Sequence, residues 1–371
     1  MSVVNQEVLQ SRNRIKGEVL RGFGVLEQGK VGWMEKPAPQ CGADDVIVRP
    51  IAIAPCSSDV HSAFELQAPW LMNRILGHEC VGEIIEKGER VQDFEVGDRV
   101  VIPCTTPTWK HPDIQDSYHQ HAGGLNTGIC FSTYEDGTFA NLVKVRSADM
   151  NLALLPKDMA PETAVMITDM MTTGFHGPEL AGVKFGDTVA VFGIGPVGLM
   201  AVAGSALMGA GKIIALGTRP NCVKLAREYG ATDIVSYKDG DVLRQIMDLT
   251  GNQGADAVIV CGGNDRTIDL ALAATKNGGT LVNLNVITGV DSLNLSMSAA
   301  AALVGHKTIK GGLCPGGRKR MERLIAVVQA GRVDPSKMIT HRFRGLESIE
   351  KAFQLMVDKP RDLIKPVVLL D

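Results

Sequence analysis

Short apolar runs broken by Gly, Pro and Asp turns fill the first part of the chain, from about Arg21 to Arg146. Val46 to Val48, Val81 to Ile85 and Arg99 to Ile102 are the clearest of them, and they predict strands of an irregular β-rich region. From about Thr173 to Leu313 the pattern changes. An apolar run at Thr188 to Phe192 precedes a helical stretch to Met208; a second run at Ile213 to Leu216 precedes a helical stretch to Tyr229. The alternation continues through Ala257 to Cys261, Thr267 to Thr275 and Thr280 to Asn285. Strand, helix and strand at this spacing predict an α/β region with a parallel sheet wound on both faces. After Cys314 come a helical stretch (Arg318 to Ala330) and a β-like ending (Lys365 to Leu370), with no internal repeat or low-complexity tract.

With 371 residues the chain suits two domains, and 45% hydrophobic against 21% charged residues supplies enough apolar material for packed cores. A formal charge of -3 gives no electrostatic footprint for nucleic acid or an anionic membrane. The eight cysteines stand singly, with no C-x-x-C pair and no secretory leader pattern, which points to a reducing, cytoplasmic setting. Thr188 to Gly211 carries no charge and raises the question of a membrane span; Gly193, Gly195 and Gly198 instead suit a strand, a tight turn and a helix. Residues 1–19 read as a solvated N-terminal arm, since Glu7 and Glu18 sit badly in an acid-poor targeting peptide.

Gly193-Ile194-Gly195-Pro196-Val197-Gly198 is a G-x-G-x-x-G at the junction of a predicted strand and helix. The first glycine allows the turn, the second lets backbone approach a pyrophosphate, and the third lets helix pack on strand. A site that prefers NAD would carry Asp or Glu about 20 residues on, at the end of the next strand. Here Gly217, Thr218 and Arg219 stand at that place and the next acid is Glu228. The carboxylate that would repel a 2′-phosphate is missing and a hydroxyl and a cation are present, so the spacing predicts NADP(H); the competing reading makes Arg219 a solvated residue at a helix start.

Gly77-His78-Glu79-Cys80-Val81-Gly82, continuing through Gly88 to Gly97-Asp98-Arg99-Val100, resembles the zinc-containing alcohol dehydrogenase signature. With Cys56-Ser57-Ser58-Asp59 before it and the glycine fingerprint after it, the resemblance to the medium-chain dehydrogenase/reductase superfamily covers essentially everything after residue 20. Pro103 to Pro107, Met166 to Gly177 and His306 to Gly317 are similar to the NADP-dependent secondary (isopropanol) alcohol dehydrogenases of microbes. The fold this implies is a Rossmann domain, a doubly wound parallel sheet (173–313), inserted in a β-rich, GroES-like, zinc-binding catalytic domain (20–172 and 314–371).

Cys56 and His78 offer a thiolate and an imidazole, both suited to Zn²⁺, and a catalytic zinc takes three protein ligands and keeps one position open. Asp169 lies in an otherwise apolar stretch, where an ionised carboxylate needs a cation or strong donors. The resemblance implies that Asp169 is the third ligand, with Glu79 beside the metal as an exchangeable or outer carboxylate. Singly, each has a plainer reading as a core thiol, a hydrogen-bonded histidine or an ion-pairing acid. The resemblance also assigns Ser58 and His61 to a proton path, and Tyr237 and Lys359 to the adenosine phosphate end. The four closely spaced cysteines of a structural zinc are missing, since only Cys104 stands between Cys80 and Cys130. One zinc per chain is therefore expected, and the resemblance implies a homotetramer acting on a small secondary alcohol or ketone. Ile129 and Val286 replace positions that are commonly aromatic in the bacterial relatives, which suggests a roomier pocket. Polyol and threonine dehydrogenases, and non-catalytic members that lack the zinc ligands, are the competing readings.

Overall fold

The apolar runs become the strands of three sheets. The computed structural model describes residues 17–370 apart from 67, 116–117, 289–291, 293–294 and 297–302. Most of the expected N-terminal arm lies outside the described residues.

In the first part, β1 (Val19–Glu27), β2 (Lys30–Pro37), β3 (Val46–Ile53), β4 (Arg74–Ile75), β5 (Cys80–Lys87), β6 (Arg99–Ile102), β7 (Val143–Val145) and β8 (Ala153–Leu154) follow one another. A second group, β9 (Thr188–Phe192), β10 (Lys212–Leu216), β11 (Asp233–Val235), β12 (Ala255–Val260), β13 (Thr275–Asn283) and β14 (Thr308–Gly311), builds a six-stranded sheet. Its order is β11-β10-β9-β12-β13-β14 and every pairing is parallel. That order reverses between β9 and β12, the point where a crevice opens beyond the carboxyl ends of the strands. Val189 and Val191 enter one core while Ala190 and Phe192 enter another, so β9 is covered on both faces, which is why it reads as a continuous apolar run.

Two late strands, β15 (Ile339–Arg344) and β16 (Lys365–Leu369), return to the first part. β16 runs antiparallel to β3, with Val368 opposite Ile53, and completes a seven-stranded sheet ordered β15-β16-β3-β5-β6-β8, with β7 also paired to β3. Pro50 cannot donate to a ladder, and it sits where the β3 to β5 register shifts. β13 starts five residues before its apolar run because Lys276-Asn277-Gly278-Gly279 forms a polar detour, with Gly278 at φ 76°, that apolar periodicity does not reveal.

The helices that matter for the site are α1 (Ser57–Phe64), α2 (Pro161–Met166), α3 (Thr172–Ala181), α4 (Pro196–Leu207), α5 (Pro220–Glu228) and, near the end, α6 (Ile349–Asp358). A π-helical turn, Ile167–Met171, joins α2 to α3 and carries Asp169. Such widened turns re-aim one side chain from an otherwise regular helix. One core contains Ala52, Val81 and Val101 of the seven-stranded sheet together with Val189, Val191 and Ala201 of the parallel-sheet region, so the two parts share buried surface.

Helices α3 and α4 cross so closely that a Cβ on Gly174 would lie 2.4 Å from Met200 Cβ and 2.6 Å from the Val197 carbonyl oxygen. Gly174→Val should therefore destabilise the fold by about 1–3 kcal/mol, as overpacking of a close contact does. A lower urea midpoint would report this, and an unchanged midpoint would mean that the two helices separate freely.

Candidate active site

Four donors from three separate segments meet at one point. Cys56 is the N-cap of α1, His78 and Glu79 lead into β5, and Asp169 projects from the π-helical turn. One donor atom from each of the four lies within 4.8 Å of the others. His78 Nε2 is 3.4 Å from Asp169 Oδ2. On its other side, His78 Nδ1 is 3.2 Å from Asp59 Oδ1, which orients the ring and aims Nε2 at the cluster. Asp59 is itself buried, and its carboxylate accepts the amide hydrogens of Cys56 (2.8 Å) and Gly77 (3.1 Å), fastening together two of the segments that bring donors to the cluster.

Burial sets the electrostatics. Glu79 and Lys365 are fully buried and form a 2.5 Å ion pair across 286 positions of sequence. Burial pushes the Glu79 carboxyl up to about 7 against the pull of Lys365, while Glu79, Cys56 and Asp169 keep the equally buried Lys365 ammonium charged. For Asp169, burial acts upward but His78, Lys365 and Thr173 outweigh it and hold the carboxyl well below its usual range. Burial likewise opposes charge on His78, and Asp59, Asp169 and Cys56 overcome it. Glu79 Oε2 is buried without a hydrogen-bond partner. A thiol, an imidazole nitrogen and two carboxylates, one with an unpartnered buried oxygen, are a donor set that fits Zn²⁺.

The glycine fingerprint lies at the end of β9 and the start of α4, which begins at Pro196-Val197. Gly193 has φ 87°, and a Cβ on Gly198 would lie 2.1 Å from its carbonyl oxygen, so helix and strand approach as closely as glycine permits. A Cβ on Gly195 would meet only Arg219 Nη2, at 3.6 Å, which puts the guanidinium beside the fingerprint. Thr218 Oγ1 donates to the Tyr237 hydroxyl at 2.8 Å. Arg219 donates to the Leu363 carbonyl and Asn221 to that of Asp362, so the segment after α6, with Lys359 at its start, is stitched to the same corner. Lys359 also lends its charge to Glu65. Gly217 has a packing reason of its own, because a Cβ there would lie 2.4 Å from Ile194 Cγ1. These residues fit a phosphorylated dinucleotide: an open cradle at Gly195 with a cation and a hydroxyl beside it.

Ser58 and His61 stand three apart on α1. The Ser58 hydroxyl is 3.3 Å from His78 Nε2, and His61 Nδ1 is 2.6 Å from Glu65 Oε2. Thr288, from the loop after β13, donates to the same Glu65 oxygen. Of the two positions expected to shape the pocket, Ile129 is half-buried and Val286 exposed.

Sequence reasoning missed Asp59, Glu65, Thr173 and Lys365, the neighbours of the predicted residues. Lys365 had a signal: a lysine inside the apolar run Leu363 to Val368 needs a buried partner. Asp59 stood within the quoted Cys56-Ser57-Ser58-Asp59 motif, without a role.

Comparison with known proteins shows the family to which the chain belongs. The zinc-binding dehydrogenase family matches residues 196–330, and the alcohol dehydrogenase GroES-like domain matches residues 42–157. The NADP-dependent isopropanol dehydrogenase of Thermoanaerobacter brockii is 57% identical over 351 residues, 95% of this chain and 100% of that protein. That of Clostridium beijerinckii is 51% identical over the same shares. Among solved structures, an alcohol dehydrogenase from Thermus sp. ATN1 superposes with a TM-score of 0.81 at 27% identity, covering 95% of this chain and 100% of that one. The chain therefore belongs to the zinc-binding alcohol dehydrogenases of the medium-chain family, in the branch that holds the NADP-dependent isopropanol dehydrogenases.

Proposed function

We infer that the chain is an NADP(H)-dependent secondary alcohol dehydrogenase that interconverts secondary alcohols such as isopropanol with their ketones at the Cys56, His78, Glu79 and Asp169 cluster. The convergence of these four donors beside a buried, partnerless Glu79 oxygen is the observation that carries the reading. It also disfavours a non-catalytic member, and the hydroxyl and cation at Thr218 and Arg219 disfavour an NAD-linked polyol or threonine dehydrogenase. Residues 20–172 and 314–371 form the zinc-binding domain in this reading, and 173–313 form the cofactor domain. The pairing of β16 with β3 supports that division. One zinc per chain and a homotetrameric, cytoplasmic enzyme complete the proposal; its eight free cysteines suit a reducing compartment.

Bound zinc would supply a Lewis acid for the alcohol oxygen, and bound NADP the hydride acceptor. The chain does the rest. Cys56, His78 and Asp169 would hold the metal, and Asp59 keeps Nε2 of His78 turned toward the cluster. Glu79 stands beside them with its charge met by Lys365 and its Oε2 left without a partner. Ser58 Oγ, next to His78 Nε2, receives the proton that the alcohol loses. His61, three residues on along the same helix, would hand that proton on to water. Glu65 occupies Nδ1 of His61, so Nε2 is the atom that carries the proton.

NADPH oxidation, followed by absorbance with acetone and 2-butanone and repeated with NADH and after chelation, tests the reading as a whole. Rapid, NADPH-selective, chelator-sensitive turnover is expected, whereas turnover confined to polyols would move the substrate class. The small Ile129 and Val286 should let larger methyl ketones react as well, so activity that collapses beyond about four carbons would remove their proposed role. Cys56→Ala and Asp169→Ala should each lose zinc and most turnover, and normal zinc content in both would refute the ligand assignment. Arg219→Ala removes a charged hydrogen-bond donor worth about 1.5–3 kcal/mol, roughly ten- to a hundredfold in affinity. Its NADP binding should fall by that factor and its NAD binding should not; equal losses would show that another residue reads the phosphate.

A further inference from the structure

A second set of donors lies against the first. Cys104 follows β6 and Cys314 follows β14, and the fold brings them together across 210 positions with their Sγ atoms 3.4 Å apart. Both side chains are buried. Cys104 Sγ is 3.6 Å from Asp169 Oδ1, and Cys314 Sγ is 3.4 Å from the Thr105 hydroxyl. Thr173 donates to the same Asp169 oxygen at 2.7 Å. One donor atom each from Cys104, Cys314 and Asp169 lies within 4.8 Å of the others. Asp169 thus faces two clusters, Oδ2 toward His78 and Oδ1 toward the thiols. Inert core cysteines are surrounded by apolar side chains; these two converge on a carboxylate and hydroxyls.

We propose that Cys104, Cys314 and Asp169 form a second metal site, selective for thiophilic divalent ions such as Cd²⁺ or excess Zn²⁺, whose occupation inhibits the enzyme. Two sulfurs and one carboxylate oxygen, with a fourth position for water, make a donor set that soft ions accept. Mg²⁺ and Ca²⁺, which require oxygen ligands, are excluded. Each thiol releases its proton to solvent as its sulfur binds the ion, and no electron is transferred. Inhibition follows because the ion shares Asp169 with the first cluster, taking Oδ1 while Oδ2 stays toward His78, and so draws off part of the charge that the carboxylate offers the resident zinc. Binding rests on the thiol pair alone, while inhibition also rests on Asp169 serving the first cluster as proposed above.

The test titrates zinc-loaded enzyme with cadmium chloride. Three readouts are followed: ultraviolet cadmium–thiolate absorbance, zinc and cadmium content after desalting, and NADPH oxidation with acetone. The expected result is one cadmium bound per chain in addition to the resident zinc, a rise in thiolate absorbance, and loss of turnover, with magnesium chloride doing none of these. Cys104→Ser and Cys314→Ser, made separately, should each retain the resident zinc and need at least about tenfold more cadmium for the same absorbance, one lost ligand being worth at least about 1.4 kcal/mol. Cadmium uptake matched by equal zinc release, or unchanged uptake in both serine variants, would overturn the proposal. An enzyme without resident zinc or turnover would fail the functional reading instead. The absorbance of wild type against the two variants would still decide the second site.

Discussion

Two carboxylates buried in one interior, Glu79 and Asp169, cannot both stay ionised unless cations face them, and much of the architecture answers that constraint. Lys365 reaches Glu79 only because β16 returns from the end of the chain to pair with β3. His78 meets Asp169 where the π-helical turn between α2 and α3 carries that residue. The seven-stranded sheet and the long helical segment therefore serve as the frame of an electrostatic cluster as well as a hydrophobic core. A buried pair of this kind contributes little net stability, yet losing one partner typically costs about 3–5 kcal/mol, so Glu79 and Lys365 are bound to each other's presence. The same cluster leaves Glu79 Oε2 without a partner, a deficit that a metal ion would correct.

The cofactor end is built from closeness instead of charge. Gly193 and Gly198 let a strand and a helix touch through backbone atoms, and the space left at Gly195 faces Arg219. Gly217 carries two meanings at once: it lacks the carboxylate of an NAD site, and it leaves room for Ile194. Steric need and the proposed cofactor preference thus act on one position, and in that proposal phosphate recognition falls to Thr218, Arg219 and their neighbours. One polar connection between the two parts runs through Glu65. It accepts from Thr288 on the loop after β13 and holds His61 on α1, so the position of that loop bears directly on the orientation of the histidine.

Several features were legible in the chain before any folding was considered. The change from short β runs to alternating strand and helix located the parallel sheet, and the apolar run at Thr188 to Phe192 with its glycines located the fingerprint. Cys56, His78, Glu79 and Asp169 were legible through motif resemblance together with the oddity of an aspartate in an apolar stretch. The polar start of β13 was not, because a detour at Gly278 has no apolar period to betray it.

Local order and the identity of the reactive side chains were determined by the sequence itself, since backbone periodicity, turn sterics and donor type are properties of neighbouring residues. Tertiary structure alone decided which charges meet: Lys365 with Glu79, Asp59 with His78 Nδ1, Glu65 with both His61 and Thr288, Cys104 with Cys314. Lys365 could be recognised as a charge in need of a partner, but nothing near it in the chain names Glu79. Contacts across 200 or more positions follow from sheet register and crossover order. These are collective outcomes of packing, and no local pattern of residues contains them.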